Sequence, residues 1–205
     1  MHILAARAAS TPVFVRVPAN DFTVTKRIME IGVDGIIFPM VRDYEHACQL
    51  ISYTLYPPYG NRGCGPKGAV RYGIDSEPYY YGEGHLKMCR FVQIELKTAA
   101  LEADKIAAIP YLDGCVLGMH DLSGSINRLG DIFCQENLSL AEMAIKAFKK
   151  AGKTVGVSTG ATDTETLVRY HNMGINMIST GADFDYIVKG VKNTINTIKD
   201  IQSRR

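Results

Sequence analysis

Two short runs decide how this chain folds: Arg90-Phe91-Val92-Gln93-Ile94-Glu95, and Gly114-Cys115-Val116-Leu117 leading straight into Gly118-Met119-His120-Asp121. Each is apolar at nearly every position, as a strand must be when both of its faces are buried in a parallel sheet. A helical pattern, Thr98–Ala108, lies between them. Working outward, the same unit recurs. Strand-like runs are expected at Val13–Val17, Gly35–Met40, Thr154–Val157 and Met177–Ser179. Helical patterns follow at Phe22–Ile31, Tyr44–Thr54, Leu140–Ala151, Thr164–Met173 and Phe184–Ile201. Ser139-x-x-Glu142 and Thr162-x-x-Glu165 have capping-box spacing, and Gly32, Gly152 and Gly174 stand where helices need a left-handed terminal residue. Strict alternation predicts a right-handed parallel α/β fold in one domain over residues 1–205. Alternation by itself leaves an open sheet and a barrel equally available, and six units are fewer than the eight of a closed (β/α)8 barrel.

Composition narrows the function classes. Apolar residues make up 46% and charged residues 21% of the 205, a globular balance that excludes disorder. A formal charge of +2 argues for neither nucleic acid nor an acidic membrane surface. The basic tail Gln202-Ser203-Arg204-Arg205 reads as a solvated helix end. No apolar run approaches the ~18 residues that span a bilayer, and the N-terminus lacks the pattern of a cleavable signal. Cys48, Cys64, Cys89, Cys115 and Cys134 form no C-x-x-C pair and read as reduced thiols in a cytoplasmic protein.

Polar residues stand where buried strands should have none. Gln93 and Glu95 are two apart, hence on one face. A buried carboxylate is costly without a cation or strong donor beside it. Asp121 lies just past the C-terminal end of the next strand, at the edge where α/β proteins build their sites. Adjacent parallel strands bring Glu95 and Asp121 together. Two carboxylates without a His or Cys ligand pair suit a hard divalent ion, Mg²⁺ or Mn²⁺, that keeps several waters. Arg16, in Val13-Phe14-Val15-Arg16-Val17-Pro18, is a guanidinium in an expected buried strand and gives bidentate recognition of carboxylate or keto oxygens. The bland alternative is a buried Arg16–Glu95 ion pair with no metal.

Other features have weaker readings. His120 is either a ligand or acid, or a bystander in its loop. Glu45-His46 reads as a solvated first helical turn, and His2, His85 and His171 as surface residues. The Gly- and Tyr-rich connection Tyr56–Gly84 is long enough to be functional or mobile. Within it, Arg62 and the surrounding glycine amides could cradle an anion, but the spacing is not that of a nucleotide loop. Tyr79-Tyr80-Tyr81 is a candidate lid or subunit contact, or simply packing.

At these residues the chain resembles the HpcH/HpaI aldolase family, which includes citrate lyase β-like relatives. The matching segments are Val15-Arg16-Val17-Pro18-x-Asn20-Asp21, Gly32-x-Asp34-Gly35, Pro39-Met40-Val41, Tyr56-Pro57-Pro58-x-Gly60-x-Arg62-Gly63-x-Gly65-Pro66, Val92-Gln93-Ile94-Glu95, Gly118-x-x-Asp121-Leu122-Ser123 and Ser179-x-Gly181-x-Asp183. The resemblance implies a TIM-barrel-like fold and reversible aldol cleavage of a 2-keto acid to pyruvate and an aldehyde. It implies that Glu95 and Asp121 hold the divalent metal. Arg16 and Gln93 would contact the pyruvate-like part, the amides of Met119, His120 and Asp121 would receive its carboxylate, and metal and Arg16 would stabilise the enolate.

Against that family the chain departs in two places. Met119 stands where a proline is usual. The expected six β/α units lack the first two of the eight-unit barrel, the second of which supplies a histidine implied as general base; His46 follows the wrong strand for that role. A binding-only relative and an acyl-CoA lyase, with only Arg62, Lys67 and Arg71 to meet a diphosphate, are the alternative readings. The exposed edges of a six-unit sheet predict association, with itself as a homo-oligomer or with a separate chain that supplies the missing units.

Overall fold

In a computed structural model, which describes residues 1–204, six strands lie side by side in chain order, every neighbouring pair parallel. They are β1 (Phe14–Arg16), β2 (Gly35–Phe38), β3 (Cys89–Ile94), β4 (Gly114–Leu117), β5 (Thr154–Thr159) and β6 (Met177–Thr180). The sheet curls into a half-barrel with helices on its outer face, the TIM-barrel-like arrangement expected. Chain-order strands linked by helices require crossovers of one hand, which keeps all C-terminal strand ends on one rim.

The strand period divides the inner strands cleanly. Val92, Ile94, Cys115, Leu117, Val155 and Val157 point outward and are almost wholly buried beneath the helices. Phe91, Gln93 and Val116 are buried on the opposite, concave side. The helices are α1 (His2–Ala8), α2 (Phe22–Ile31), α3 (Tyr44–Ser52), α4 (Glu77–Gly82), α5 (Lys97–Leu101), α6 (Ala103–Ala107), α7 (Met119–Gly124), α8 (Gln135–Lys150), α9 (Thr164–Asn172) and α10 (Asp183–Ser203). Small residues on α5 and α6 (Ala99, Ala100, Ala103, Ala107) let α8 approach closely through Leu140, Ala141, Ala144 and Phe148. Burying a side chain such as Phe148 contributes about 1.5–3 kcal/mol.

Several local expectations need correction. The segment Thr98–Ala108 is two helices, broken where Glu102 leaves helical geometry at φ −102°, ψ 14°. Ser139 caps nothing. α8 starts at Gln135, and the Ser139 hydroxyl donates back to the Gln135 carbonyl from inside the helix. α9 is capped by Asp163, whose carboxylate accepts the Thr166 amide at 2.8 Å, and not by Thr162. Asp21 and Asp43 cap α2 and α3 in the same way. Gly32, Gly152 and Gly174 do take positive φ.

Burial on both faces fails at the sheet's edges. β1 has one strand neighbour, and Phe14 and Arg16 are both exposed. Arg16 is therefore an edge residue and not a core cation. β6 is likewise only partly covered. The Tyr56–Gly84 connection is folded, not open. Arg62 is 2% exposed, clasped between Tyr56 at 4.6 Å and Tyr80 at 5.5 Å, and donates to the Tyr80 hydroxyl at 3.2 Å. That guanidinium is a packing element, so it is not a surface cradle. Tyr80 and Tyr81 pack edge-on against Tyr56. All five cysteines are free thiols. Arg205 lies outside the described residues, and Arg204 follows the end of α10. No helix among the described residues is long and apolar enough to cross a membrane.

Candidate active site

The C-terminal strand ends gather the singled-out polar residues. Arg16 closes β1, Gln93 lies within β3, Glu95 follows β3 directly, and Asp121 sits in the first turn of α7 after β4. Arg16 Nη1 donates to Gln93 Oε1 at 3.4 Å, and Gln93 Nε2 donates to Glu95 Oε2 at 3.1 Å. The other Glu95 oxygen accepts the backbone amide of Met40, just past β2. One side-chain line thus runs from β1 across β3, with a main-chain donor from the β2 end locking its terminus. The Arg16–Glu95 ion pair is not formed; Gln93 stands between the two.

Glu95 is 1% exposed. Burial pushes its carboxyl above the usual range; the Met40 amide opposes this, and the neighbouring Asp121 carboxylate raises it further by charge and by hydrogen bonding. A buried carboxylate facing a second one is the donor set that a hard cation neutralises. Among the described residues no cluster of three His, Cys, Asp or Glu side chains could take a metal. The residues therefore fit a two-carboxylate site completed by water or substrate oxygens, and do not fit a closed all-protein cage.

Two supports were not singled out as site parts from the sequence. Gly118 leaves Glu95 its space: a Cβ there would come within 2.5 Å of Glu95 Oε2 and 2.8 Å of Glu95 Cβ. Met40 holds a left-handed φ of 49°, an uncommon conformation for a residue with a side chain, at the point where its amide meets Glu95. Gly118 and Met40 both lie within segments that match the family, but the reason for the glycine is a cross-strand distance. The amide of Met40 carries no sequence signal.

α7 follows β4 without a loop. Its first amide bonded within the helix is that of Leu122, which reaches the Gly118 carbonyl at 2.8 Å, so the amides of Met119, His120 and Asp121 precede the ladder. The Met119 side chain is buried, and Asn137 from α8 donates to the Met119 carbonyl at 3.1 Å, fixing the turn. His120 and Asp121 are exposed. His46 is buried and its Nδ1 accepts the Arg42 amide at 3.2 Å, which corrects the solvated-turn expectation. His85 is also buried, at 1% exposure, with Nδ1 on the Tyr80 carbonyl; only His2 and His171 are the surface residues expected.

Below the rim, Phe14, Arg16, Gln93 and Val116 line one side of a cavity of about 290 Å³; Ser158 and Ser179 stand on the other.

A family model described as HpcH/HpaI aldolase/citrate lyase matches residues 1–189. A hydroxypyruvate/pyruvate aldolase of Chromohalobacter salexigens is 30% identical over 187 residues, covering 90% of this chain and 72% of that protein. A 2-keto-3-deoxy-L-rhamnonate aldolase of Salmonella paratyphi A is 31% identical over 198 residues, covering 95% of this chain and 72% of that protein. The crystal structure of an HpcH/HpaI aldolase/citrate lyase family protein from Burkholderia cenocepacia superposes with a TM-score of 0.86 at 27% identity, covering 96% of this chain and 78% of that one.

Proposed function

The chain belongs to the HpcH/HpaI aldolase/citrate lyase family, and on that premise we propose that it is a divalent-metal-dependent aldolase releasing pyruvate from a 4-hydroxy-2-oxo or 2-keto-3-deoxy acid. The observation that carries the site assignment is the line Arg16–Gln93–Glu95 ending beside Asp121. Glu95 and Asp121 would hold the cation, Mg²⁺ or Mn²⁺, through carboxylate oxygens. When bound, such an ion polarises the keto group.

This chain's own residues do the rest. Gln93 fixes the Glu95 carboxylate from below, and the Met40 amide fixes it from the side. Arg16, tied to the Gln93 oxygen, presents its remaining N–H groups to the keto acid. The amides of Met119, His120 and Asp121 receive the substrate carboxylate. Cleavage takes the proton from the C4 hydroxyl, breaks the C3–C4 bond, and moves that electron pair toward the C2 oxygen. The negative charge that develops there meets the Arg16 guanidinium, which binds it more strongly than the neutral ketone. Protonation at C3 completes pyruvate. For exchange of the hydroxyl proton our assignment is His120, which is exposed and adjoins Asp121 in sequence.

Supports for the broader context are physical. Five free cysteines suit a reducing, cytoplasmic compartment. Self-association is supported by α10, which buries none of its residues yet carries Phe184, Val188, Val191, Ile195 and Ile198 at coiled-coil spacing, each 46–63% exposed. Its first turn holds Asp183 and Asp185, while towards its other end stand Lys199 and the carboxylate Asp200, with Arg204 just past the helix. Antiparallel pairing with α10 of a second copy sets acidic against net basic ends, so the partner assigned to this face is another copy of the chain.

The test is deuterium exchange into the pyruvate methyl group, followed by NMR with and without Mn²⁺ or Mg²⁺. Exchange that depends on the ion and falls at least 100-fold in Glu95→Ala is the expected result. Ion-independent exchange, or none at all, refutes the aldolase assignment for this chain.

A further inference from the structure

One polar residue interrupts the apolar face by which α8 packs. That face runs through Leu140, Ala141, Ala144, Ile145 and Phe148, and it begins with Asn137. Asn137 is wholly buried, and its Oδ1 has no hydrogen-bond partner among the described residues. A buried amide oxygen left unpaired is a cost that an apolar residue in the same place avoids. What offsets it lies on the other side of the amide. Nδ2 donates to the Met119 carbonyl at 3.1 Å and to the Ile132 carbonyl at 2.8 Å, so both of its hydrogens are used.

The first of those carbonyls belongs to α7. A helix of six residues is too short to hold its place by its own hydrogen bonds. On one side its start is tied to the sheet, where the Gly118 amide donates to the Ile94 carbonyl at 3.2 Å. On the other side Asn137 ties it to α8. The Met119 carbonyl and the His120 amide form one planar peptide unit, so gripping the carbonyl fixes that plane and the path of the chain into Asp121. Glu95 follows β3 directly and is held by Gln93 and by the Met40 amide. Of the two carboxylates, Asp121 is therefore the one whose place is set from a helix outside the sheet.

We propose that Asn137 is a positioning residue for the cation site, setting Asp121 against Glu95 through the Met119 carbonyl. The proposal rests on the assignment of Glu95 and Asp121 as metal ligands, and adds to it a side chain on α8 that bonds neither carboxylate. A hard divalent ion such as Mg²⁺ demands near-ideal placement of its oxygens, so a small shift of Asp121 weakens binding. A residue that served only the packing of α8 would change stability and leave the ion's surroundings alone.

The experiment measures Mn²⁺ binding to the full chain by calorimetry, together with the EPR spectrum of bound Mn²⁺, which follows the placement of its ligands. Asn137→Leu keeps the bulk of the side chain and removes both donors. It lowers Mn²⁺ affinity roughly tenfold or more and alters the spectrum. Ile145→Ala, further along the same buried face, lowers thermal stability and leaves affinity and spectrum native. Native affinity and spectrum in a folded Asn137→Leu overturn the positioning role, and so does an equal change in Ile145→Ala. Asn137→Ala takes the place of the leucine variant where that one does not fold. Failure of both to fold makes Asn137 a structural residue and overturns the proposal as well. A native chain that binds no Mn²⁺, or whose binding survives Glu95→Ala, refutes the metal assignment itself and the proposal with it, a result read before any change at Asn137.

Discussion

At the scale of single residues, the site depends on close approach as much as on charge. Glu95 is held by three groups of different origin: the amide side chain of Gln93, the backbone of Met40, and the absence of a side chain at Gly118. Gly118→Ala tests the last of these. Its φ of −102° is open to alanine, so the change adds a methyl without backbone strain. That methyl must displace Glu95, whose backbone neighbours are packed, and overpacking of this kind costs about 1–3 kcal/mol. The expected result is a folded protein by circular dichroism with Mn²⁺ affinity lowered about tenfold or more by titration. Unchanged affinity would mean that Glu95 is not the ligand. Arg16 is where sequence reading misjudged the setting while choosing the residue: its partner is Gln93 and its strand is an edge. A three-residue strand with one neighbour leaves its polar end facing the open concave side.

At the scale of elements, periodicity located the strands and most helices because apolar spacing is a direct record of which face is buried. It failed where the chain satisfies its own backbone by side-chain bonds. Asp163, not Thr162, caps α9, and Ser139 turned out to be interior to α8, because either residue type can serve a cap and only the helix's true start decides. The heptad stripe of α10 was visible as an apolar period, but a period cannot tell whether the face meets its own sheet or another molecule. The structure leaves it bare. Ile195→Lys and Val191→Asp therefore are expected to shift sedimentation toward monomer with little loss of thermal stability, since both residues are about half exposed and neither belongs to the buried core. A native chain already monomeric at micromolar concentration would refute the pairing.

At the scale of the whole molecule, the long Tyr56–Gly84 connection is a second, polar-edged core. His85 and Arg90 are both nearly fully buried there, and the His85 carbonyl accepts from the Arg90 guanidinium. Burial pushes Arg90 down to about 10 and lowers His85, with Arg90 and Arg62 adding repulsion; burial likewise lowers His46, helped by Arg42 and opposed by Asp43. Both imidazoles thus bind protons less readily folded than unfolded. Their contribution is intact above the ordinary histidine value of 6.5 and is lost as pH falls from there through the depressed folded values. The urea midpoint is expected to drop between about pH 8 and about pH 5, and the pH slope to be shallower in a His46→Gln, His85→Gln double variant. An equal slope in that variant would assign the loss to other groups. What the sequence determined by itself is the succession of parallel β/α units and the identity of the rim residues Arg16, Gln93, Glu95 and Asp121. Both are written in local spacing, which sets the face each side chain takes. Only the tertiary structure decided that Gln93 bridges Arg16 and Glu95, that Gly118 and Met40 hold the carboxylate, that His46 and His85 are buried, and that Ser158 and Ser179 face the cavity. Those outcomes depend on register between strands distant in sequence, and on which strands have a neighbour. Spacing along one chain carries neither.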